Sequence, residues 1–396
     1  MPVPVISPVV APGVPDPGPP DFRRVRGAML RQGEGDRVPL FELSVHRKHR
    51  ESILGRPIAG LADEVAFWQA AGYDFVSIRA GVRSVVRGYH PAVAAWKDVR
   101  QKSGPPDTVC RQDRCRGGWV SEEGALIADR DDFRSFPWPA PHELGGYGDY
   151  ADLEEHLRSL AGLLPAGMKV LVQLGYLFMG AWQLMGFENF CLKLADEPDL
   201  VGDVVDWLGA SQLAVLEILL QHDCVGAIWL PDDLCYNSGP VVSPRVYRRI
   251  VYPWYVRIVA RCHAAGLPVG LHSDGDLTRL LPDLVDCGFD AIHPFEPPMN
   301  DIVAVKRQWG GRIAVAGNVD LKNTLCAGTP ADVEAEVRQK VAALAPGGGW
   351  LLGSSNSIPD FMPVENYRAL LAASLAYGRF GGAQHPGLRR AVCSVA

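Results

Sequence analysis

Short runs of large apolar and β-branched residues alternate along this chain with longer stretches whose apolar positions recur every three to four residues. The first short run is Val38 to Leu43 (VPLFEL), after an amphipathic stretch from Phe22 to Gln32. The second is Tyr73 to Arg79 (YDFVSIR), preceded by a helical pattern from Ala62 to Ala71. Six more follow: Lys169 to Leu174, Val225 to Leu230, Pro268 to His272, Phe289 to His293, Arg312 to Gly317 and Gly349 to Gly353. Helical patterns separate them at Glu188 to His222, Pro244 to Ala265, Leu277 to Cys287 and Ile302 to Trp309. Two more, Pro330 to Ala345 and Pro363 to Tyr377, flank the last run. Ser243-Pro244 and Thr329-Pro330 supply a cap and a first-turn proline, as helix entries should.

Eight strands alternating with helices predict a parallel sheet covered by helices and closed into a single (β/α)8 barrel over residues 22–381. An open doubly wound sheet is the alternative, and no GxGxxG follows an early strand to support it. The rhythm stops between Gly81 and Gly145, where the chain is polar and rich in Gly, Pro and Trp. Within it, GGWVSEEGALIAD reads as a hairpin around Glu122 to Gly124. So long an insertion after the second strand is expected to form a flap over the barrel mouth. Residues 1–21 are broken throughout by Pro and Gly and read as a disordered leader, and residues 382–396 as a tail.

Composition narrows the class. The 396 residues are 47% hydrophobic and 21% charged, with a formal net charge of −6. That mild acidity argues against nucleic acid, whose phosphates need clustered Lys and Arg. No stretch reaches the ~20 uninterrupted apolar residues of a membrane helix, and the start lacks the charged and apolar segments of a signal peptide. Nine cysteines, an odd number scattered through the sequence, imply reduced thiols and a cytoplasmic location. Cys110 and Cys115 lack the second pair of a zinc signature, and Cys235 reads as a packing residue.

In such barrels the chemistry lies at the carboxyl ends of the strands. Here those ends carry Glu42, Arg79, Gln173 with Tyr176, and Asp232-Asp233 with Tyr236 and Asn237. The remaining four carry His272-Ser273-Asp274, His293 with Glu296, Asn318 with Asp320, and Ser354-Ser355-Asn356. Strand ends turn polar in any sequence, yet paired carboxylates straight after AIWLP and a His-x-Asp after PVGL exceed that tendency. His272, Asp274, Asp232 and Asp233 are therefore the expected catalytic residues. Glu42, Arg79, Tyr176, Tyr236, Glu296, Asn318 and Asn356 are expected to bind substrate.

Two roles stay open for the imidazole. His272 and Asp274 leave the strand on one face, and together with Asp232, Asp233 and Glu296 they could form a mixed nitrogen and oxygen site for Zn2+ or another divalent ion, with His272, Asp274 and Glu296 as the expected ligands. A metal-free His-Asp pair acting as general acid and base is the other role.

The chain resembles the uroporphyrinogen-decarboxylase superfamily from about Arg26 to Gly381. The likeness rests on DDLCYNSGPVVSPRVYRRIVYPWY, LHSDGDL, GFDAIHPFEP, AGNVDLKNTLCAGTPADVEAEV and LLGSSNSIPDFMPVENYRALL. It implies one of two chemistries: cofactor-free decarboxylation of pyrrole acetates, or zinc-assisted methyl transfer between a corrinoid and a thiol or methyl donor. True decarboxylases of the family carry an arginine-rich loop after the first strand and an aspartate after the second. Here those places read ELSVHRKHRESILGR and Ser77-Ile78-Arg79. The corrinoid:thiol methyltransferases carry His-x-Cys after strand five and Cys after strand eight. Here they read His272-Ser273-Asp274 and Asn356, so the imidazole is kept and both thiolates are absent.

Two functions follow from that resemblance. The first is a methyltransferase that demethylates a small methylated or methoxylated compound, with a separate corrinoid protein as acceptor, because no corrinoid module is expected within the chain. The second is a cofactor-free decarboxylase of a small carboxylated aromatic, in which His46 to Arg50 and Arg79 grip carboxylates and Asp232 or His272 protonates the carbanion. A barrel that only binds its ligand is a third possibility, disfavoured by the dense ionisable ring. The partners expected are a small-molecule substrate, the corrinoid protein and a second copy of the chain in a homodimer.

Overall fold

The computed structural model describes residues 13–88, 90–103, 125–140, 143–144 and 152–380. Seven parallel strands form one sheet in the order β1 (Phe75–Ala80), β2 (Lys169–Leu174), β3 (Val225–Pro231), β6 (Val269–His272), β7 (Ala291–His293), β8 (Ala314–Ala316) and β9 (Trp350–Leu351). Two further strands, β4 (Cys235–Tyr236) and β5 (Gly239–Pro240), make a small antiparallel hairpin just beyond β3. The sheet strands are apolar along their length because both faces are covered; Val170 to Leu174 is buried throughout. Bulk alternates inside the sheet. Gly270 of β6 faces the Trp229 indole of β3, and a Cβ there would lie 2.4 Å from that ring.

The first expected strand, Val38 to Leu43, is not part of that ladder. It meets β9 and the following loop only through isolated parallel bridges, Leu40 with Leu352 and Val45 with Ile358. Pro39 has no N–H to donate, and the backbones close in at Gly353, where a Cβ would fall 1.9 Å from the Phe41 carbonyl oxygen. On the other flank, Leu43 O accepts hydrogen bonds from Ser77 Oγ at 2.8 Å and Gln173 Nε2 at 2.6 Å. Phe41 itself is buried against the Trp229 ring at 4.4 Å.

Helices cover the outer face, and local chemistry sets their ends. The run from Glu188 to His222 is two helices, Phe187–Asp196 and Pro198–Leu219, because Pro198 cannot continue the first. A further helix, Phe178–Met185, precedes them and ends at Gly186, whose φ is 73°. The pattern from Pro244 to Ala265 contains a π-helical turn, Tyr247–Val251, ahead of Pro253, which lacks the N–H that would carry the α-helical ladder. Thr329 and Asp332 form a reciprocal capping box at the helix Pro330–Leu344.

Parts of the insertion after β1 are described: helices Arg83–Val86, Pro91–Ser103 and Arg130–Ser135. Leu126 and Ile127 both donate backbone hydrogen bonds to Leu184 O, pinning this segment to the helix after β2. The hairpin expected around Glu122 to Gly124, residues 1–12 of the leader and the tail 382–396 lie outside the described residues. Within residues 13–21, Val14 is buried and Asp21 N donates to Asp74 Oδ1 at 2.8 Å. Asp74 in turn meets Arg24 at 2.8 Å and Arg37 at 3.0 Å, a buried ion cluster at the amino-terminal end of β1. Among the described residues, no helix is long and apolar enough to cross a membrane.

Candidate active site

A cavity of about 260 Å3 opens at the carboxyl ends of the strands. Arg79, Gln173, Tyr176, Asp233, His272 and Asn356 reach it from five different strand ends, which is what a parallel sheet does with residues just past its last hydrogen bond. One wall is basic. Arg83 and Arg87, from the first helix of the insertion, join Arg79 there, and the Arg83 guanidinium lies 5.6 Å from the centre of the Tyr176 ring. A second wall is acidic and nitrogenous: Asp233 and His272 line the cavity, with Asp274 beside them.

That second wall is tight. One ligand atom each from Asp233, His272 and Asp274 falls within 4.8 Å of the others. His272 Nε2 lies 3.6 Å from Asp233 Oδ1 and 3.5 Å from Asp274 Oδ1. Asp274 Oδ1 is buried and has no hydrogen-bond partner, while Oδ2 accepts from Asn356 Nδ2 at 2.6 Å. Burial raises Asp274 well above the usual carboxylate range, and the neighbouring Asp233 and Glu296 charges raise it further. Burial likewise pushes Asp233 up to about 7, against a lowering hydrogen bond from the Asp274 N–H. His272 is pushed down to about 4 by burial. Its Nδ1 lies 2.7 Å from Nδ1 of His293, whose Nε2 is 3.2 Å from the Ser354 carbonyl oxygen.

Other expected site residues have different employment. Asp232 does not line the cavity: its carboxylate accepts from the N–H groups of Leu177, Phe178 and Met179 and from Tyr255 Oη at 2.7 Å. It caps the helix Phe178–Met185, where a negative charge complements the helix dipole. Burial lifts it to about 6 even so. Glu42 is buried beneath the cavity and accepts from Ser354 N at 2.7 Å and Ser354 Oγ at 2.8 Å. Burial raises it to about 8. Asn318 bridges Phe295 O and Lys340 Nζ, away from the cavity.

Glu296 accepts from Gly275 N at 3.3 Å and stands outside the three-residue cluster. Of the expected metal donors, Asp233, His272 and Asp274 are the three brought together, Asp233 standing two residues beyond the end of β3. Tyr236 sits 41% exposed on the β4–β5 hairpin, its ring 6.2 Å from that of Phe187.

The basic segment His46 to Arg50 does not serve the cavity either. It opens the helix Arg47–Leu54, where Arg47 pairs with Glu51, Lys48 reaches Asp360 O and Arg50 pairs with Glu64. His49 is buried against the Tyr367 ring and bonded to Pro359 O. The arginines that reach the cavity come instead from RAGVRSVVR, where Arg79, Arg83 and Arg87 recur every fourth residue. That spacing was the sequence signal for Arg83 and Arg87. His293 and Ser354 were visible only as strand-end residues. Cys235 is buried, its thiol pushed up to about 12 by burial, so it is inert packing. Cys110 and Cys115 lie outside the described residues.

This arrangement has relatives. The family model "Uroporphyrinogen decarboxylase (URO-D)" matches residues 126–377. Two curated relatives are described as methylcobamide:CoM methyltransferase MtaA, both from Methanosarcina barkeri. One is 28% identical over 201 residues, covering 50% of this chain and 55% of the relative. The other, from strain Fusaro, is 27% identical over 203 residues with the same coverage. The chain thus spans about half the length of the curated relatives it matches. A solved methyltransferase structure from Methanosarcina mazei superposes with a TM-score of 0.64 at 17% identity, over 89% of this chain and 98% of that one. At that identity the superposition speaks for the fold alone. The family match covers more than half of the sequence and takes in β2 through β9 with the whole Asp233–His272–Asp274 wall, so the chain belongs to the uroporphyrinogen decarboxylase (URO-D) family.

Proposed function

We propose that the protein is a methyltransferase that demethylates a small methylated or methoxylated compound, with a separate corrinoid protein as acceptor. The observation that carries this reading is the buried Asp233–His272–Asp274 cluster with its unpartnered Asp274 Oδ1. The methyltransferase relatives support it.

An orphaned buried oxygen beside an imidazole nitrogen and a second carboxylate fits a divalent cation such as Zn2+. When bound, such an ion would supply Lewis acidity at the heteroatom that loses the methyl group. The donors are one nitrogen and two oxygens, harder than a thiolate set.

The chain's own groups do the rest. Demethylation breaks a carbon–heteroatom bond; the methyl passes to the acceptor, and the heteroatom keeps the electron pair and takes a proton. Asp233, as a ligand, would be ionised, so that proton comes from solvent. Asn356 holds Asp274 in place, and Tyr176 with Arg83 walls the substrate. Arg79, Arg83 and Arg87 line the same cavity and suit a substrate that also bears an anionic group. The described parts of the insertion, which supply two of these arginines, act as part of a flap beside the mouth. The segment Val38 to Leu43 acts as the eighth stave of a (β/α)8 barrel, and the six described cysteines, all unpaired, fit a reducing, cytoplasmic compartment.

The three arginines also favour a second reading, decarboxylation of a small carboxylated aromatic, with Asp233 or His272 protonating the carbanion. One experiment separates the two. The full chain, analysed for bound metal, is mixed with cob(I)alamin and a panel of methoxylated and carboxylated aromatics. Appearance of methylcobalamin absorbance with release of the demethylated product supports methyl transfer. Release of CO2 without methylcobalamin overturns it in favour of decarboxylation.

A further inference from the structure

His272 and His293 are register partners at the ends of β6 and β7. Their rings stack with centroids 5.0 Å apart and 29° between planes, and their Nδ1 atoms approach to 2.7 Å. Two nitrogens that close must share one proton, so one donates and the other accepts. Which one donates is decided further along. His293 Nε2 lies 3.2 Å from Ser354 O, and a carbonyl oxygen can only accept. The His293 proton therefore sits on Nε2.

His293 is fully buried, with the Phe41 ring 5.4 Å away, a setting in which an imidazole sits neutral. A neutral imidazole has one N–H, so His293 Nδ1 is bare and accepts from His272 Nδ1. His272, a neutral imidazole stacked on it, has then spent its only proton. Its Nε2 is left as a lone pair, aimed at Asp233 Oδ1 and Asp274 Oδ1.

We infer that His293 is a positioning residue: the chain from Ser354 O through His293 to His272 Nδ1 locks His272 in the tautomer whose Nε2 is bare and turned into the carboxylate cluster. The benefit of that lock, a preset ligand or base, rests on the reading of the cluster given above. The lock itself stands on geometry alone. Partners on the far nitrogen of a ligating histidine commonly fix its tautomer and orientation; here the partner is a second buried imidazole, itself set by a backbone carbonyl.

The test is long-range 1H–15N correlation of the histidine rings in the full chain, stripped of metal and held near neutral pH. Loss of one ring set in His272→Gln assigns His272. In the unsubstituted protein, Nδ1 of His272 should be protonated and Nε2 bare, with the reverse at His293. His293→Asn keeps an acceptor where Nδ1 stood and should preserve the His272 tautomer. His293→Leu removes it and should let His272 move its proton onto Nε2, weakening Zn2+ binding roughly 10- to 100-fold with Asn restoring most of the loss. A protonated Nε2 on His272 in the unsubstituted protein, or an unchanged tautomer in a folded His293→Leu protein, overturns the inference. Should His293→Leu fail to fold, the unsubstituted and Asn spectra still decide it. The expected tautomer without any Zn2+ binding would leave the lock standing and remove the cation from the proposed function.

Discussion

Asn356 donates from Nδ2 to Asp274 Oδ2 at 2.6 Å, joining the loop after β9 to the loop after β6. This bond turns the other Asp274 oxygen, Oδ1, toward His272 Nε2. Asn356→Ala should therefore free the carboxylate to swing and weaken Zn2+ binding about 10-fold or more. The melting temperature should hardly change, since the residue is only partly buried. Zn2+ titration alongside a thermal melt measures both quantities; an unaltered affinity would show that Asp274 needs no such support.

The proposed ligand set makes a sharper comparison. Asp233→Asn and Asp274→Asn should each lose the bound cation, because a three-donor site cannot spare one. Glu296→Gln should keep it, as Glu296 is engaged with Gly275 N. Elemental analysis of the three purified variants distinguishes this set from one containing Glu296.

Asp232 is predicted to matter for stability. Asp232→Ala would strip acceptors from three backbone N–H groups and the Tyr255 hydroxyl, all buried. The expected cost is on the order of 3 kcal/mol or more, read from urea denaturation. The folded fraction should retain its cation. Full stability with a lost cation would return Asp232 to the chemistry.

Glu42 sets a pH dependence. Its carboxyl is raised by burial to about 8 from the usual 4.5, so the folded protein favours the protonated form. The stabilisation it provides is complete below about 4.5 and is lost as pH climbs toward about 8. Glu42→Gln, whose amide stays neutral, should match the unsubstituted protein near pH 5. Above pH 8 it should melt at a higher temperature. Parallel melting curves at all pH values would refute the assignment.

The strand rhythm was legible because burial on both faces forces continuous apolar runs; β2 has the boundaries its sequence predicts. The run Val38 to Leu43 was expected as the first strand, yet it meets its neighbour through isolated bridges only, because whether a run joins a ladder depends on its neighbour's backbone, which local pattern does not report. Site residues divide in the same way. Arg79, Tyr176, Asp233, His272 and Asn356 reach the cavity, as strand-end position suggests. Position alone cannot say that Asp232 is consumed by the helix that follows β2, or that Glu42 and Asn318 are tied to distant partners. Arg83 and Arg87 share the fourth-residue spacing of Arg79, but they belong to an insertion whose position over the strand ends that spacing does not encode.

The joint at Leu40–Leu352 and Val45–Ile358 has a consequence for motion. Held by isolated bridges where the sheet strands have ladders, it is less continuously paired than they are. Ser354 stands at that joint, clasped by Glu42 on one side and accepting from His293 on the other. Opening of this seam is thereby coupled to the proton that sets His272, so amide exchange around Ser354 should report on the readiness of the reactive wall.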